Sequence, residues 1–220
     1  MTRHARTFAV IGLGNFGRTV AAELARFGNY VIGLDRDEQA VDRMVEKLSQ
    51  AMIVDARDDA ALREAGLGDC DLALVAVGTD LEGSILAAIN AKLVGVPVVW
   101  AKATSKTHHR ILSRIGVDRV VHPEELIGLH IAQMLHNPLV RDYVSLGNGF
   151  HVVNFIVPES LQGAGLDDLH LRDRFDLRCL GVMRGRDYVG RAGDDVVLCE
   201  DDLLLLLGSR DRLREFGASL

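Results

Sequence analysis

Cysteine and proline are scarce in this 220-residue chain, and neither a basic run nor a bilayer-length apolar run occurs in it. Its three cysteines, Cys70, Cys179 and Cys199, are far apart, which excludes the close pairing of metal and redox motifs. An odd, scattered set suits a reducing cytosol, with each cysteine a small core residue. Four prolines and no low-complexity tract leave no long disordered linker. A net charge of -6 without lysine or arginine runs argues against a nucleic-acid partner held on a basic face. No winged-helix or zinc-finger pattern is present. The stretch Leu203 to Leu207 is far too short to span a bilayer. The basic start MTRHARTF enters a strand rather than an apolar signal stretch. A soluble protein is expected, long enough for one full domain and a small second one.

What the chain does contain begins with residues 8 to 17, FAVIGLGNFG. Phe8 to Ile11 reads as a strand buried on both faces, breaking into Gly12-x-Gly14-x-x-Gly17 and running into a helix. Gly12 allows the tight turn, Gly14 lets backbone approach a phosphate, and Gly17 permits close helix–strand packing. The free N–H groups near Phe16 to Arg18 would face an anion. A helix over Thr19 to Phe27, with Val20, Ala21, Leu24 and Phe27 on one face, leads to a strand from Tyr30 to Leu34. That strand ends at Asp35, whose carboxylate can accept both ribose hydroxyls of an adenine nucleotide.

Alternation then continues. Helices are expected over 38–48 (Val41, Met44, Val45 and Leu48 inward), 59–65, 81–93 and 107–115, and strands over 51–54, 71–77, 97–101 and 118–121. Gly66 is a stop signal. Repeated βα units of this length specify a doubly wound parallel sheet, Rossmann-like, with helices on both faces. The carboxyl ends of its strands deliver Asp35, Asp55, Gly78 and Lys102 to one rim, where open α/β sheets bind ligands. Lys102 follows an apolar strand, so its ammonium could reach nucleotide phosphates or a carboxylate across the cleft.

The helix Glu124 to His136 is apolar nearly all round, which predicts burial on more than one side, as at a subunit interface. His130 and His136 read there as satisfied core or interface histidines. Asn137-Pro138 and the turn-rich stretch to Gly147-Asn148-Gly149 suggest domains over 6–137 and 146–220. The second is a small α+β module: strands over 151–157, 177–184, 195–198 and 203–207, a short polar helix over 166–174, and a closing helix over 210–216. It has no metal-ligand cluster and no Gly-x-Ser-x-Gly nucleophile motif. A small NAD-dependent oxidoreductase would need a substrate domain and an acid or base near the nicotinamide. Only His108 and His109 are offered there, so no enzyme is expected.

At this point the chain resembles the regulator-of-conductance-of-potassium (RCK) family, the cytosolic regulatory subunits of bacterial Ktr/Trk potassium-uptake systems. The residues that carry the resemblance are FAVIGLGNFG, the aspartate-ended second strand, VAVGTD after the fourth, and VVWAKATSKTHHRILSRIGVDRVVHPEELIG. Leu161-x-Gly163 with Leu166, Asp168 and Leu169, then Glu200-x-Asp202 before Leu203 to Gly208, extend it through the C-terminal lobe. The resemblance implies a homodimer assembling into an octameric ring, peripheral on the inner face of the membrane through a membrane-embedded potassium channel or transporter. Nucleotide in the N-terminal domain would set the ring's shape, ATP favouring conduction and ADP rest. The turn Gly12-Leu13-Gly14-Asn15-Phe16-Gly17 would carry the phosphates. Asp35 would bind the ribose with Arg36 and Asp37 beside it, and Asp55 and Ala56 would flank the adenine. Val77, Gly78, Thr79, Lys102, Ala103, Thr104 and His108 would complete the site. Glu124 would help hold a divalent cation, Mg2+ or Ca2+, near the phosphates; read by itself it is a first-turn helix glutamate. Relatives commonly have arginine at the place of Asn15, reaching a neighbour's γ-phosphate. Asparagine supplies no charge, so weak discrimination of ATP from ADP is expected, with Arg18 a potential substitute and NAD or NADH the competing ligand. The C-terminal lobe is also a candidate for a second, anionic effector near Arg172, Arg174 and Arg178, although a solvated charged face is the competing reading.

Overall fold

The computed structural model describes residues 5–78 and 80–220. The chain divides into two compact units between Glu124 and Glu125. The expected boundary over 138–145 therefore falls inside the second unit.

The first unit alternates strand and helix: β1 (Thr7–Ile11), α1 (Asn15–Arg26), β2 (Tyr30–Asp35), α2 (Glu38–Asp42), β3 (Gln50–Ile53), α3 (Asp59–Glu64), β4 (Leu72–Val75), α4 (Leu81–Val94), β5 (Val99–Lys102), α5 (Lys106–Arg114) and β6 (Arg119–Val121). The six strands are parallel in the order β3-β2-β1-β4-β5-β6. The order reverses between β1 and β4, the switch point at which open sheets of this kind leave a crevice beyond the strand ends. Both faces are covered, which explains the unbroken apolar runs. Ala9 and Ile11 of β1 join Leu34, Val75, Ala87 and Leu112 on one side. Val10 joins Leu13, Ala21, Val31 and Met44 on the other, as the two-residue period of a strand requires.

Two helix expectations are corrected here. Helix α1 stops at Arg26, because the chain turns through Gly28 at φ +84°. Phe27 is consequently 70% exposed rather than inward. Helix α2 stops at Asp42, six residues short of the expected end. No glycine or proline breaks it; the amides of Met44 and Lys47 instead bond to the carbonyls three residues back. That tightening keeps Met44 and Leu48 in the core and leaves Val45 exposed.

The second unit contains α6 (Pro123–His136, from Glu125 on), β7 (Val140–Gly147), β8 (Phe150–Ile156), α7 (Leu171–Phe175), β9 (Arg178–Arg184), β10 (Asp187–Gly190), β11 (Leu203–Ser209) and α8 (Arg210–Ala218). Its sheet is antiparallel, in the order β10-β9-β11-β8-β7. Phe155, Leu177, Leu204, Leu206, Leu213 and Phe216 form its core. Residues 140–147, expected as turns, are the edge strand β7. The expected helix over 166–174 is broken at His170, which has φ +46°, into a short 3-10 turn and α7. Residues 195–198 form no strand; Val197 makes an isolated bridge to Gly165. No residue of α6 is buried within the single chain, and Leu126, Ile127, Leu129 and Leu135 are exposed. His130 Nδ1 sits 2.8 Å from the Tyr143 carbonyl, whereas His136 is exposed. Cys70 is buried, but Cys179 and Cys199 are only half-buried.

Candidate functional site

The crevice at the β1/β4 switch point is a cleft of about 440 Å³. Its floor is the glycine turn. Gly12 adopts φ +93°, and a Cβ there would lie 3.0 Å from the Val77 nitrogen. A Cβ on Gly17 would lie 1.8 Å from the Gly12 carbonyl oxygen, so only glycine allows α1 to pack this close to the turn. Gly14 differs: a Cβ there would meet nothing within 4 Å among the described residues, and its φ is an ordinary -63°. Its missing side chain leaves open space in the cleft rather than relieving a clash.

Helix starts in this unit are otherwise closed. Asp37, Asp58, Asp80 and Ser105 each accept a first-turn N–H of α2, α3, α4 and α5. Of α1 to α5, among the described residues, α1 alone has no capping side chain. The first N–H groups of a helix have no intrahelical acceptor, and the axial dipole concentrates partial positive charge there. The one uncapped start therefore borders the cleft, ready for an anion.

Asp35 stands at the end of β2. Its Oδ2 accepts the Leu13 N–H at 2.6 Å and its Oδ1 accepts the Asp37 N–H at 3.0 Å. The carboxylate thus ties the glycine turn to the β2 loop while each oxygen keeps a lone pair for a ligand. Across the cleft Lys102 is 9% exposed, and its ammonium is bonded to Glu124 Oε1. This hydrogen bond holds the Glu124 carboxyl below the ordinary carboxylate range. The Lys102 Nζ also lies 5.7 Å from the centre of the Phe16 ring. Arg57 grips Asp55 through Nε, at 2.9 and 3.0 Å to its two oxygens, and lowers its pKa to about 2. Arg36 reaches Asp80 at 3.4 Å.

Of the residues singled out in the sequence, Gly12, Gly14, Asn15, Phe16, Asp35, Arg36, Asp55, Ala56, Val77, Gly78, Lys102 and Glu124 line this cleft together. Leu13, Gly17, Asp37, Ala103, Thr104 and His108 do not. Leu13 contributes its amide while its side chain is in the core. Gly17 supports the turn from beneath, and Asp37 caps α2. Ala103 and His108 are buried, and burial, with the charge of His122, pushes the His108 imidazole pKa down. Thr79 lies outside the described residues. Arg18 is not among the lining residues. Sequence reasoning missed Arg57, Asp80 and Gly83, which do line the cleft. Asp80, directly before a helix, had a readable N-cap signal; Arg57 had only its place two residues past Asp55.

A doubly wound sheet with a glycine-turn cleft at its switch point, followed by an antiparallel unit, defines a two-unit Rossmann-type protein. The TrkA-N domain family matches residues 8–123. The chain belongs to that family, which bears out the resemblance read from its motifs. It is 34% identical over 208 residues to Ktr system potassium uptake protein A of Vibrio alginolyticus, covering 94% of each chain. It is 29% identical over 211 residues to the Bacillus subtilis (strain 168) protein of the same name, covering 96% of this chain and 95% of the relative. In fold it is similar to the crystal structure of the GsuK RCK domain, with a TM-score of 0.65 and 14% identity. That match covers 99% of this chain, which spans about half (48%) of the GsuK chain.

Proposed function

We propose that this protein is a nucleotide-sensing regulatory subunit of a membrane potassium-uptake system. The observation that carries the reading is the cleft itself: an uncapped helix start, an open Gly14, a carboxylate at Asp35 and an ammonium at Lys102 face one volume. The uncapped amides and Lys102 suit phosphates, and Asp35 suits ribose hydroxyls. The similarity to Ktr system potassium uptake proteins over nearly the whole chain supports the transport role. The adenine nucleotides ATP and ADP are the ligands, with NAD or NADH in competition because a glycine turn of this kind accepts a dinucleotide equally.

Asn15 brings no charge to the phosphate end, where the Lys102 ammonium lies 5.7 Å from the Phe16 ring, so ATP and ADP bind with comparable affinity. A divalent cation fits on limited terms. Among the described residues no three His, Cys, Asp or Glu side chains form a metal cluster. Glu124 offers one largely exposed carboxylate. Mg2+ suits such a place, since it is held by one or two carboxylates with the rest of its shell from phosphates and water. The cation would neutralise phosphate charge beside Glu124 once Lys102 shares its ammonium with the nucleotide.

No helix among the described residues is long and apolar enough to cross a membrane. Membrane action in this reading runs through a partner, a membrane-embedded potassium channel or transporter with the subunit at the inner face, which the similarity to Ktr system potassium uptake proteins supports. The exposed apolar residues of α6 suit a homodimer, and assembly into an octameric ring would give nucleotide a shape to change. Ligand shifts such a ring only by its difference in affinity for the two ring states. The test is potassium uptake in cells that carry the partner transporter but lack this subunit. Wild-type protein restores regulated uptake and Asp35→Ala does not. Equal restoration by both would refute the reading.

A further inference from the structure

A second cleft, of about 560 Å³, lies wholly within the second unit and is larger than the one at the glycine turn. Its walls are the end of α6, the strands β7 and β8, and one face of α8. Arg210, Leu213, Arg214 and Gly217 recur on α8 at helical spacing, so they present a single face to it. The floor is apolar, with Val153, Phe155 and Leu213 buried. At Gly217 an added Cβ would lie 2.5 Å from the Asn137 side-chain amide nitrogen, so the helix is seated closely at that end, whereas Arg210 and Arg214 are exposed.

Charge at the mouth is unbalanced. Among the described residues neither Arg210 nor Arg214 has a carboxylate within ion-pair distance. Of the two acidic residues there, Glu215 is already paired with Arg212 at 2.8 Å, leaving Asp211 alone. Tyr143 lines the cleft and stacks on His151, a buried histidine whose Nδ1 has no partner among the described residues. Surface arginines four residues apart on one helix face normally repel each other. Here they flank an apolar cavity of small-molecule size, and an apolar cavity with a few convergent polar groups is the usual form of a ligand site.

The geometry points to a binding site for a small amphipathic anion: one carboxylate or phosphate group on a ring-sized apolar body. The anion sits between Arg210 and Arg214, and the body rests on Phe155, Val153 and Leu213. This site is independent of the glycine-turn cleft and stands whether or not that cleft takes a nucleotide.

The probe is 1-naphthoate, titrated calorimetrically into the full chain. Acetate, which has the charge without the body, and 1-naphthalenemethanol, which has the body without the charge, are the controls. One naphthoate binds per chain, and both controls bind at least tenfold more weakly. The double variant Arg210→Gln/Arg214→Gln loses about tenfold or more in naphthoate affinity. Its thermal unfolding is unchanged, because both side chains are exposed. Absence of naphthoate binding, or equal binding by the double variant, would overturn the proposal. Binding that vanishes as the protein self-associates would give the cleft to a second copy and overturn it too.

Discussion

Gly14 and Gly17 stand three residues apart in one motif, yet alanine at each is expected to fail in a different way. At Gly17 the new Cβ would fall 1.8 Å from the Gly12 carbonyl oxygen, where real contacts are 3.0 Å or more. The obstacle is backbone on one side and a helix on the other, so α1 must shift by more than an ångström. Overpacking that cannot be relieved by a side-chain rotation costs about 3 kcal/mol, which lowers the melting temperature of the first unit by roughly 10 °C. Gly14→Ala meets nothing within 4 Å among the described residues, at an ordinary φ. Losing a glycine N-cap costs about 0.5 kcal/mol, and the stiffer unfolded chain returns a similar amount. Stability is therefore unchanged, but a methyl group now stands where a phosphate would lie, and nucleotide affinity falls at least tenfold. Scanning calorimetry with nucleotide titration of both variants separates the two effects. A stable Gly17→Ala, or a Gly14→Ala that binds nucleotide like the wild type, would refute the reasoning.

Asp35→Ala removes the acceptor of the Leu13 and Asp37 amides, so a loss of about 1–2 kcal/mol in unfolding free energy accompanies the loss of nucleotide binding. Denaturant melts measure the first and titration the second. Asp55 has its pKa lowered to about 2 by Arg57; this contribution to stability is present above the unfolded carboxyl value and is lost as pH falls through about 2. Arg57→Gln raises the Asp55 carboxyl toward the ordinary range, stopping short of it because the residue-57 amide and Arg36 still favour the carboxylate, a change read by NMR titration. In the second unit the fully buried Asp202 accepts two hydrogen bonds from Arg184 and one from the Cys199 amide. Asp202→Ala strands that amide and costs the unit about 2 kcal/mol. The Arg184 hydrogen bonds hold the Asp202 carboxyl below its usual range, so acid weakens the wild-type unit as pH drops below the unfolded value, and the variant lacks that dependence.

The first unit was legible because its signals are local and repeated. A strand buried on both faces reads as a short apolar run, as in Phe8 to Ile11, and the glycine turn and Asp35 stand at fixed offsets from it. The cleft was only partly legible. Arg57 and Asp80 reach it because the rims after β3 and β4 face the same crevice, an adjacency that sheet order creates and residue spacing does not encode. The second unit was harder for a different reason. Strand β7 is an edge with half-exposed faces, and its pairing with β8 shifts register twice. Its two-residue pattern is therefore weak, and the Gly147-Asn148-Gly149 hairpin beside it resembles a linker. The break at His170 requires a positive φ in a histidine, which no local signal announces. No breaker residue marks the early end of α2, after which tightened turns keep Met44 and Leu48 in the core.

The most direct measurement is calorimetric titration of nucleotide-stripped protein with ATP, ADP and NADH, each with and without Mg2+. The expected result is adenine-nucleotide binding of similar strength for ATP and ADP, strengthened by the cation in the wild type and not in Glu124→Gln. No binding of any of the three would contradict the cleft's assignment. Preference for NADH without a cation effect would contradict the role given to Glu124 and make the protein a redox sensor instead.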